Sequence, residues 1–103
     1  MFITYEVEGV VKDLYFEKDQ ARIKKGIMGI VRIYNEQDKL LEEIGVTKHR
    51  VDTYMHFLKE IDNKNVTIAF SDLKNGDRIK MIQMTNATNP QEIMVKQDFI
   101  IVP

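Results

Sequence analysis

The chain contains no cysteine, so neither disulfides nor thiolate-bound metal can hold its fold together. Its 103 residues are enough to bury one hydrophobic core and too few for two. Hydrophobic residues make up 44% of the sequence and charged residues 30%, a balance typical of globular proteins. The sequence therefore predicts a single domain, residues 1–103. The lack of cysteine favours a reducing compartment, and we expect the cytoplasm.

The charge balance limits the partners that the surface as a whole can attract. Fifteen basic and sixteen acidic residues give a formal net charge of -1, so overall charge gives no argument for a nucleic-acid coat or a polybasic membrane anchor. Every apolar stretch is far shorter than the roughly 20 residues that cross a bilayer, and the amino terminus does not resemble a secretion signal. We therefore expect no membrane partner, and any charged site must be local.

Alternating residues predict a strand at each end of the chain. Polar and apolar side chains alternate from Phe2 to Val11, the period of a half-buried strand. Gly9 interrupts the apolar face, and a bulge or a close backbone approach is the usual reason. Pro90 marks a connection before a last strand. The predicted core face of that strand consists of Ile93, Val95, Phe99 and Ile101.

The segment from Glu17 to Tyr34 is compatible with a helix or a strand. The helical interpretation, which we favour, rests on apolar residues at helical spacing: Ile23, Ile27, Ile30, Val31 and Tyr34. Gly26 and Gly29 weaken a helix, and the β-branched residues between Ile27 and Ile33 suit a strand. The two glycines also have the spacing of the RNA-clamping loop of KH domains, although close packing of small residues is the more common cause.

Two helices are predicted in the middle of the chain. Asn35 caps the first, and Gly45 ends it. Its apolar face consists of Leu40, Leu41 and Ile44. Thr47 caps the second helix, which has the clearest helical periodicity in the sequence. The apolar stripe of that helix consists of Val51, Tyr54, Met55, Leu58 and Ile61.

The stretch from Lys39 to Met55 resembles the helix-turn-helix of DNA-binding proteins. Gly45 stands where that motif has a glycine at positive φ, Val46 where it has a buried apolar residue, and Thr47 where a hydroxyl caps the recognition helix. A hairpin predicted between Val66 and Thr85 would follow as a wing. The resemblance covers residues 36–61 and extends to about residue 85. It implies an α+β fold, a winged-helix-like domain with an additional N-terminal strand and a C-terminal strand.

The resemblance implies DNA, duplex or single-stranded, as the partner, and it places the contacts on the second helix and the wing. A phosphate at the start of that helix would meet free N–H groups and a cluster of basic side chains. The residues expected to bind nucleic acid are Thr47, Lys48, His49, Arg50, Thr53, His56, Lys74 and Arg78. An ordinary solvated helix face accounts for these charges equally well.

The sequence contains no phosphate loop, nucleophile elbow or histidine–carboxylate motif. On a helix His49 and His56 would stand about 10.5 Å apart, at 1.5 Å per residue, which is too far to share a metal ion. We therefore expect a binding protein without catalytic residues, cofactor or metal. As a DNA-binding protein it would act as a small regulator or as an accessory factor in replication.

Two alternatives stay open. If residues 17–46 form strands, the order of elements becomes that of an OB-fold-like β-barrel with one helix. Single-stranded DNA would then be the ligand, with Tyr15, Tyr34 and Phe70 as stacking candidates. The near-neutral charge favours instead a protein-interaction module, an inhibitor or accessory subunit without direct DNA contact. Such a module would dock through a strand edge or through a patch containing Met81, Met84 and Met94.

Overall fold

The protein is built mainly of β-strands. The computed structural model describes residues 1–88 and 91–103. The strands are β1 (Phe2–Val11), β2 (Tyr15–Phe16), β3 (Ile27–Tyr34), β4 (Leu40–Thr47), β5 (Met55–Ile61), β6 (Lys64–Thr67), β7 (Arg78–Thr88) and β8 (Gln91–Ile101). The helices in these residues are α1 (Gln20–Lys24) and α2 (Lys48–Thr53), and a 3-10 turn spans Phe70–Asp72. Neither helix is long and apolar enough to cross a membrane.

All eight strands belong to one sheet, which curls into a half-barrel. The strand order is β2-β3-β1-β7-β8-β5-β6, and β4 pairs with β3. The pairs in the described residues are antiparallel apart from β5 and β8, which run parallel. Because α2 joins β4 directly to β5, the chain itself links two distant strands of the curled sheet. This architecture is closer to the OB-fold-like β-barrel alternative than to a winged helix.

The core lies on the inner face of the curl and receives side chains from six strands. Its buried members are Val11, Val31, Ile33, Val46, Met55, Phe57, Ile79, Met81 and Phe99, with Phe70 and Leu73 from the segment between β6 and β7. Phe57 and Phe99 are register partners whose rings stack with centroids 5.1 Å apart. Burial of one face of each strand leaves the alternate side chains pointing outwards.

The predicted helix-turn-helix is wrong. The residues of its first helix form β4, and its second helix ends at Thr53 because the chain continues as β5. Gly45 lies inside β4, and its φ is not positive, which contradicts the expected turn. The reason is tertiary: β4 pairs with β3 from Leu40 to Thr47, and this ladder outweighs a helical pattern of only three apolar residues.

The predicted wing, and with it the winged-helix-like α+β fold, is also wrong. β6 pairs with β5, whereas β7 pairs with β1 and β8, so no hairpin connects Val66 to Thr85. The turn chemistry at Asn75 and Gly76 is nonetheless used, since Gly76 has a φ of 98° in the turn before β7. Thr47 also caps a helix as predicted. Its side chain accepts a hydrogen bond from the Arg50 N–H at 3.2 Å.

The two end strands are confirmed. β1 has the predicted bounds, and Gly9 permits a close backbone approach, since a Cβ there would lie 2.3 Å from the Tyr34 carbonyl oxygen. β8 contains the predicted last strand, but its pairing with β7 shifts register between Met84 and Thr85. This shift turns Ile93 to the face opposite Phe99. The connection predicted at Pro90 lies outside the described residues.

The strand interpretation of the segment from Glu17 to Tyr34 is correct for Ile27–Tyr34, which forms β3. Only α1 is helical there, and the Asp19 side chain caps it by accepting a hydrogen bond from the Ala21 N–H at 2.9 Å. Gly29 lies within β3, where a Cβ would stand 2.0 Å from the Tyr15 carbonyl oxygen. Close packing therefore explains this glycine, and the KH-like spacing needs no further cause.

Candidate nucleic-acid interface

The outward side chains of β2 and β3 form a surface that carries two aromatic rings. On β3, buried residues alternate with Ile30, Arg32 and Tyr34, which point away from the core. Tyr15 of β2 is the register partner of Ile30 and so shares its face. We call this surface, formed by Tyr15, Ile30, Arg32 and Tyr34, the tyrosine face.

Hydrogen bonds hold both tyrosines by their hydroxyl groups. The Tyr15 hydroxyl donates to Glu17 Oε2 at 2.5 Å, and the Tyr34 hydroxyl donates to Asp13 Oδ2 at 2.9 Å. Each carboxylate, by accepting this bond, raises the pKa of its tyrosine above the usual value, so both rings are neutral at physiological pH. Tyr15 is 37% exposed. The face thus presents oriented, uncharged rings, which suits stacking on bases.

Arg32 lies between the two tyrosines along β3. Its Nε donates to Glu43 Oε2 at 2.8 Å, and its Nη1 donates to the Asp13 carbonyl oxygen at 2.7 Å. The hydrogen bond to Glu43 raises the pKa of Arg32, so the guanidinium stays charged. Glu43 also offsets most of that charge. The tyrosine face is therefore aromatic with one fixed cation, and it is not strongly basic.

Beside Tyr15 the surface is open, because the strand partner of Ile30 on β4 is Gly45. Arg50 reaches back from α2 and donates from Nη1 to the Gly45 carbonyl oxygen at 2.8 Å. A cleft of about 230 Å³ lies here. Its lining includes Tyr15, Glu17, Arg22, Ile27 and Thr47. This cleft extends the tyrosine face towards α1 and α2.

The residues predicted to bind nucleic acid do not form one surface. Thr47, Lys48, His49, Arg50 and Thr53 belong to α2 or to its cap. His56 lies on β5 with its Nδ1 3.0 Å from Asp98 Oδ1, and Arg78 lies on β7 with its Nε 3.4 Å from Glu8 Oε1. Lys74 lies in the turn before β7. Thr47 and Arg50 adjoin the tyrosine face, and the role of all eight residues stays a prediction.

Of the three stacking candidates, the structure brings two together. Tyr15 and Tyr34 both lie on the tyrosine face, whereas Phe70 is 5% exposed and packs against Phe16 and Phe57. Phe70 is therefore a core residue and unavailable to a base. Sequence reasoning missed Arg32, although a lone charged residue among the apolar residues of β3 signals an outward position.

A larger, apolar cavity lies on the other side of β2. Phe16 pairs with Gly29 and so points to the face opposite Tyr15. The cavity has a volume of about 530 Å³. Its apolar lining includes Phe16, Ile23, Ile27, Met28, Val51 and Phe70, and its polar lining includes Glu17, Lys48, Asp52 and Ser71. Residues from α1, α2 and β3 thus line one pocket that is open to solvent.

A third surface is the outer edge of β1. In the part of the chain that the structure describes, β1 pairs with β7 along its length but with β3 only at Val10 and Val11. The Ala87 N–H donates to the Met1 carbonyl oxygen at 2.7 Å. Antiparallel bonding alternates, so the N–H and C=O groups of the even-numbered residues point to the unpaired edge. Those residues are Phe2, Thr4, Glu6 and Glu8.

Metal-binding geometry is not found in the structure. Among residues 1–88 and 91–103, no group of three or more histidine, aspartate or glutamate residues could hold an ion.

Comparisons with protein-family models, with curated proteins and with solved structures find no match for this chain.

Proposed function

We propose that this chain is a non-catalytic, OB-fold-like protein that binds single-stranded DNA on its tyrosine face. The observation that carries the proposal is the placement of Tyr15 and Tyr34 on one outward face with Arg32 between them. Aromatic side chains on the surface of a curled sheet stack on successive unpaired bases, and a neighbouring cation contacts the backbone.

The geometry favours an unpaired strand over a duplex. Residues 30 and 34 are four positions apart on β3, so the backbone positions that carry the two rings are separated by about 13 Å along the strand at roughly 3.3 Å per residue. Each ring can then meet a different base, provided that the bases are not paired. α2 is only about 9 Å long at 1.5 Å per residue, too short for a recognition helix in the major groove.

Stacking, and not phosphate attraction, supplies most of the expected affinity. Arg22, Arg32 and Lys48 each have a carboxylate partner, at 3.3, 2.8 and 2.5 Å respectively. A phosphate must compete with these carboxylates, so few counterions are released on binding. With one or two phosphates neutralised, the log-log dependence of affinity on salt should have a slope of about -0.7 to -1.4.

Fluorescence anisotropy with a labelled oligothymidylate at low salt tests the proposal. The full chain should bind the single strand more tightly than a duplex of the same length. Tyr15→Ala and Tyr34→Ala should each weaken binding roughly 5- to 150-fold, because stacking contributes about 1–3 kcal/mol per base. Tyr15→Phe and Tyr34→Phe keep the ring and should retain most of the affinity.

Tyr5 provides a matched control. Its hydroxyl donates to Glu42 Oε1 at 2.7 Å, as the other two tyrosines donate to carboxylates, but its register partner Gln83 places it on the inner face of the sheet. Tyr5→Ala should therefore leave the affinity unchanged. If the chain binds no single strand at low salt, or if Tyr5→Ala weakens binding as much as Tyr15→Ala, the proposal is wrong.

The edge of β1 favours a second candidate function, the binding of an extended segment of another protein. A strand added to an unpaired edge satisfies the exposed backbone groups, and apolar side chains flanking the edge add affinity. Phe2 and Ile3 supply such side chains, being 64% and 43% exposed. The partner segment should therefore be extended and carry apolar residues at alternate positions.

A library of random displayed peptides, selected against the full chain, tests this second function. Selected peptides should bind the parent but not Thr4→Pro, because proline removes the Thr4 N–H that points to the unpaired edge. Thr4→Ala keeps that N–H and serves as the control. Peptides that bind Thr4→Pro and the parent equally would place the docking surface elsewhere.

A further inference from the structure

The 530 Å³ cavity between α1, α2 and β3 suits a flat, apolar group. Its volume lies within the roughly 300–1,000 Å³ typical of small-ligand sites. Aromatic side chains form part of its wall, where the rings of Phe16 and Phe70 meet edge to face with centroids 4.9 Å apart. Phe16 is 37% exposed and so offers ring surface to an occupant, whereas Phe70 supports it from the core.

The polar side chains of the cavity comprise one cation, two carboxylates and one hydroxyl: Lys48, Glu17, Asp52 and Ser71. Lys48 lines it and is largely exposed, with its Nζ 2.5 Å from Asp52 Oδ2. Ser71 contributes a hydroxyl, which can donate or accept a hydrogen bond. An apolar, partly aromatic pocket with an adjacent ammonium fits a base inside the pocket and a phosphate beside Lys48.

The cavity adjoins the cleft that extends the tyrosine face. It shares Glu17 and Ile27 with the 230 Å³ cleft beside Tyr15. β2 has only two residues, and they point in opposite directions, Tyr15 to the tyrosine face and Phe16 into the cavity. A strand that stacks on Tyr15 therefore needs to pass only Glu17 to bring a further base to Phe16.

We propose that this cavity takes one base of the bound DNA strand, stacked on Phe16, while Lys48 contacts the neighbouring phosphate. The inference rests on the proposed function, because the same strand occupies the tyrosine face. A free nucleotide presents the same base and phosphate as a nucleotide within a strand, so the experiment must separate these two sources.

The fluorescent base 2-aminopurine, placed at successive positions of an oligothymidylate, reports the environment of each base. One position should show quenching by the parent chain that disappears in Phe16→Leu, a change that keeps apolar packing against Phe70 but removes the ring. Binding should also weaken at least about fivefold, as for the loss of one stacked base. Thermal unfolding of Phe16→Leu shows that the variant is folded.

Ile23→Ala provides a second variant, because Ile23 is 41% exposed on α1 and lines the cavity without entering the core. It should reduce the quenching at the same position. Ile61→Ala is the matched control, since Ile61 is 47% exposed at the end of β5 and lies outside the cavity lining. Its quenching pattern should equal that of the parent.

The outcomes separate the cavity from the tyrosine face. If Phe16→Leu leaves the quenching pattern unchanged while Tyr15→Ala still weakens binding, the cavity inference is overturned and the proposed function stands. If 2-aminopurine nucleoside monophosphate shows Phe16-dependent quenching but no position of the oligonucleotide does, the occupant is a free nucleotide and the inference is again overturned. If no strand binds at all, both proposals are overturned.

Discussion

Strands β1, β7 and β8 extend through two halves of the molecule. In the covered half other residues pack over the inner face of the sheet, and in the open half much of that face is exposed. The alternating residue pattern is similar in both halves. In the covered half, one row of register partners consists of Val7, Met81 and Phe99. In the open half, the rows on the same face consist of Tyr5 and Gln83, beside the buried Gln97, and then of Ile3, Thr85 and Met94. Phe99 is fully buried, whereas Tyr5 is 45% exposed.

Alternation thus specifies a strand and its two faces, but it does not specify which residues cover a face. β5 and the segment containing Phe70 cover the inner face around Phe99. β5 pairs with β8 only from residue 97 onwards. The radius of gyration, 14.1 Å, exceeds the roughly 13 Å expected for a compact chain of this length. The open half of the three strands therefore leaves side chains exposed and contributes little to the core.

The first prediction compares one apolar residue of the inner face from each half. Phe99→Ala should destabilise the fold by about 3–5 kcal/mol, because it leaves a cavity among fully packed side chains. Ile3→Ala should change stability by no more than about 0.5 kcal/mol, as expected for an exposed side chain. Urea unfolding measures both. Equal losses would show that the open half is covered in solution.

Gly9 lies in the covered half, one row of register partners beyond Val7, and its replacement gives the next largest effect. A Cβ there would lie 2.3 Å from the Tyr34 carbonyl oxygen and 2.8 Å from Ile33 Cγ2. Gly9→Ala should therefore cost about 1–3 kcal/mol, the usual range for overpacking. Gly45→Ala is the control, because the nearest atom to its Cβ would be Arg50 Nη1, at an ordinary 3.6 Å. Its unfolding midpoint should not fall.

The helix cap at Thr47 tests how much α2, which joins β4 to β5 in the covered half, contributes to stability. Thr47→Ala removes the acceptor for the Arg50 N–H and should destabilise the fold by about 1 kcal/mol. His49→Ala, at an exposed position of the same helix, should be neutral or slightly stabilising because alanine favours helices. An unchanged free energy of unfolding in Thr47→Ala would show that the cap of α2 does not stabilise the link between β4 and β5.

The smallest effect concerns the contact that joins the open half to β4. Tyr5→Phe removes the hydrogen bond to Glu42 and should cost no more than about 0.5 kcal/mol at neutral pH, as for other surface changes. Because that bond raises the pKa of Tyr5, its contribution is complete below pH 10 and is lost as the pH rises through the pKa of the folded state. Unfolding of parent and variant at pH 7 and at successively more alkaline pH measures the difference, which should shrink as the pH rises through the pKa of Tyr5 in the folded state.

Part of the site could be predicted from the sequence. Tyr15 and Tyr34 were identified as stacking candidates from their aromatic rings and from the strand alternative alone. Their common face depends on the pairing of Tyr15 with Ile30, and no local pattern specifies that pairing. Phe70 also carries an aromatic ring, yet it is buried, because the segment between β6 and β7 folds over the inner face.

Local interactions are enough to specify those elements whose sequence pattern fits only one kind of secondary structure. The alternation from Phe2 to Val11 specifies β1, and the Thr47 side chain specifies the start of α2, because a period and a cap depend on neighbouring residues only. Leu40 to Thr47 has too few apolar residues to distinguish a helix from a strand. Pairing with β3 selects the strand, because backbone hydrogen bonds and a shared core stabilise a pairing that forms only in the folded chain.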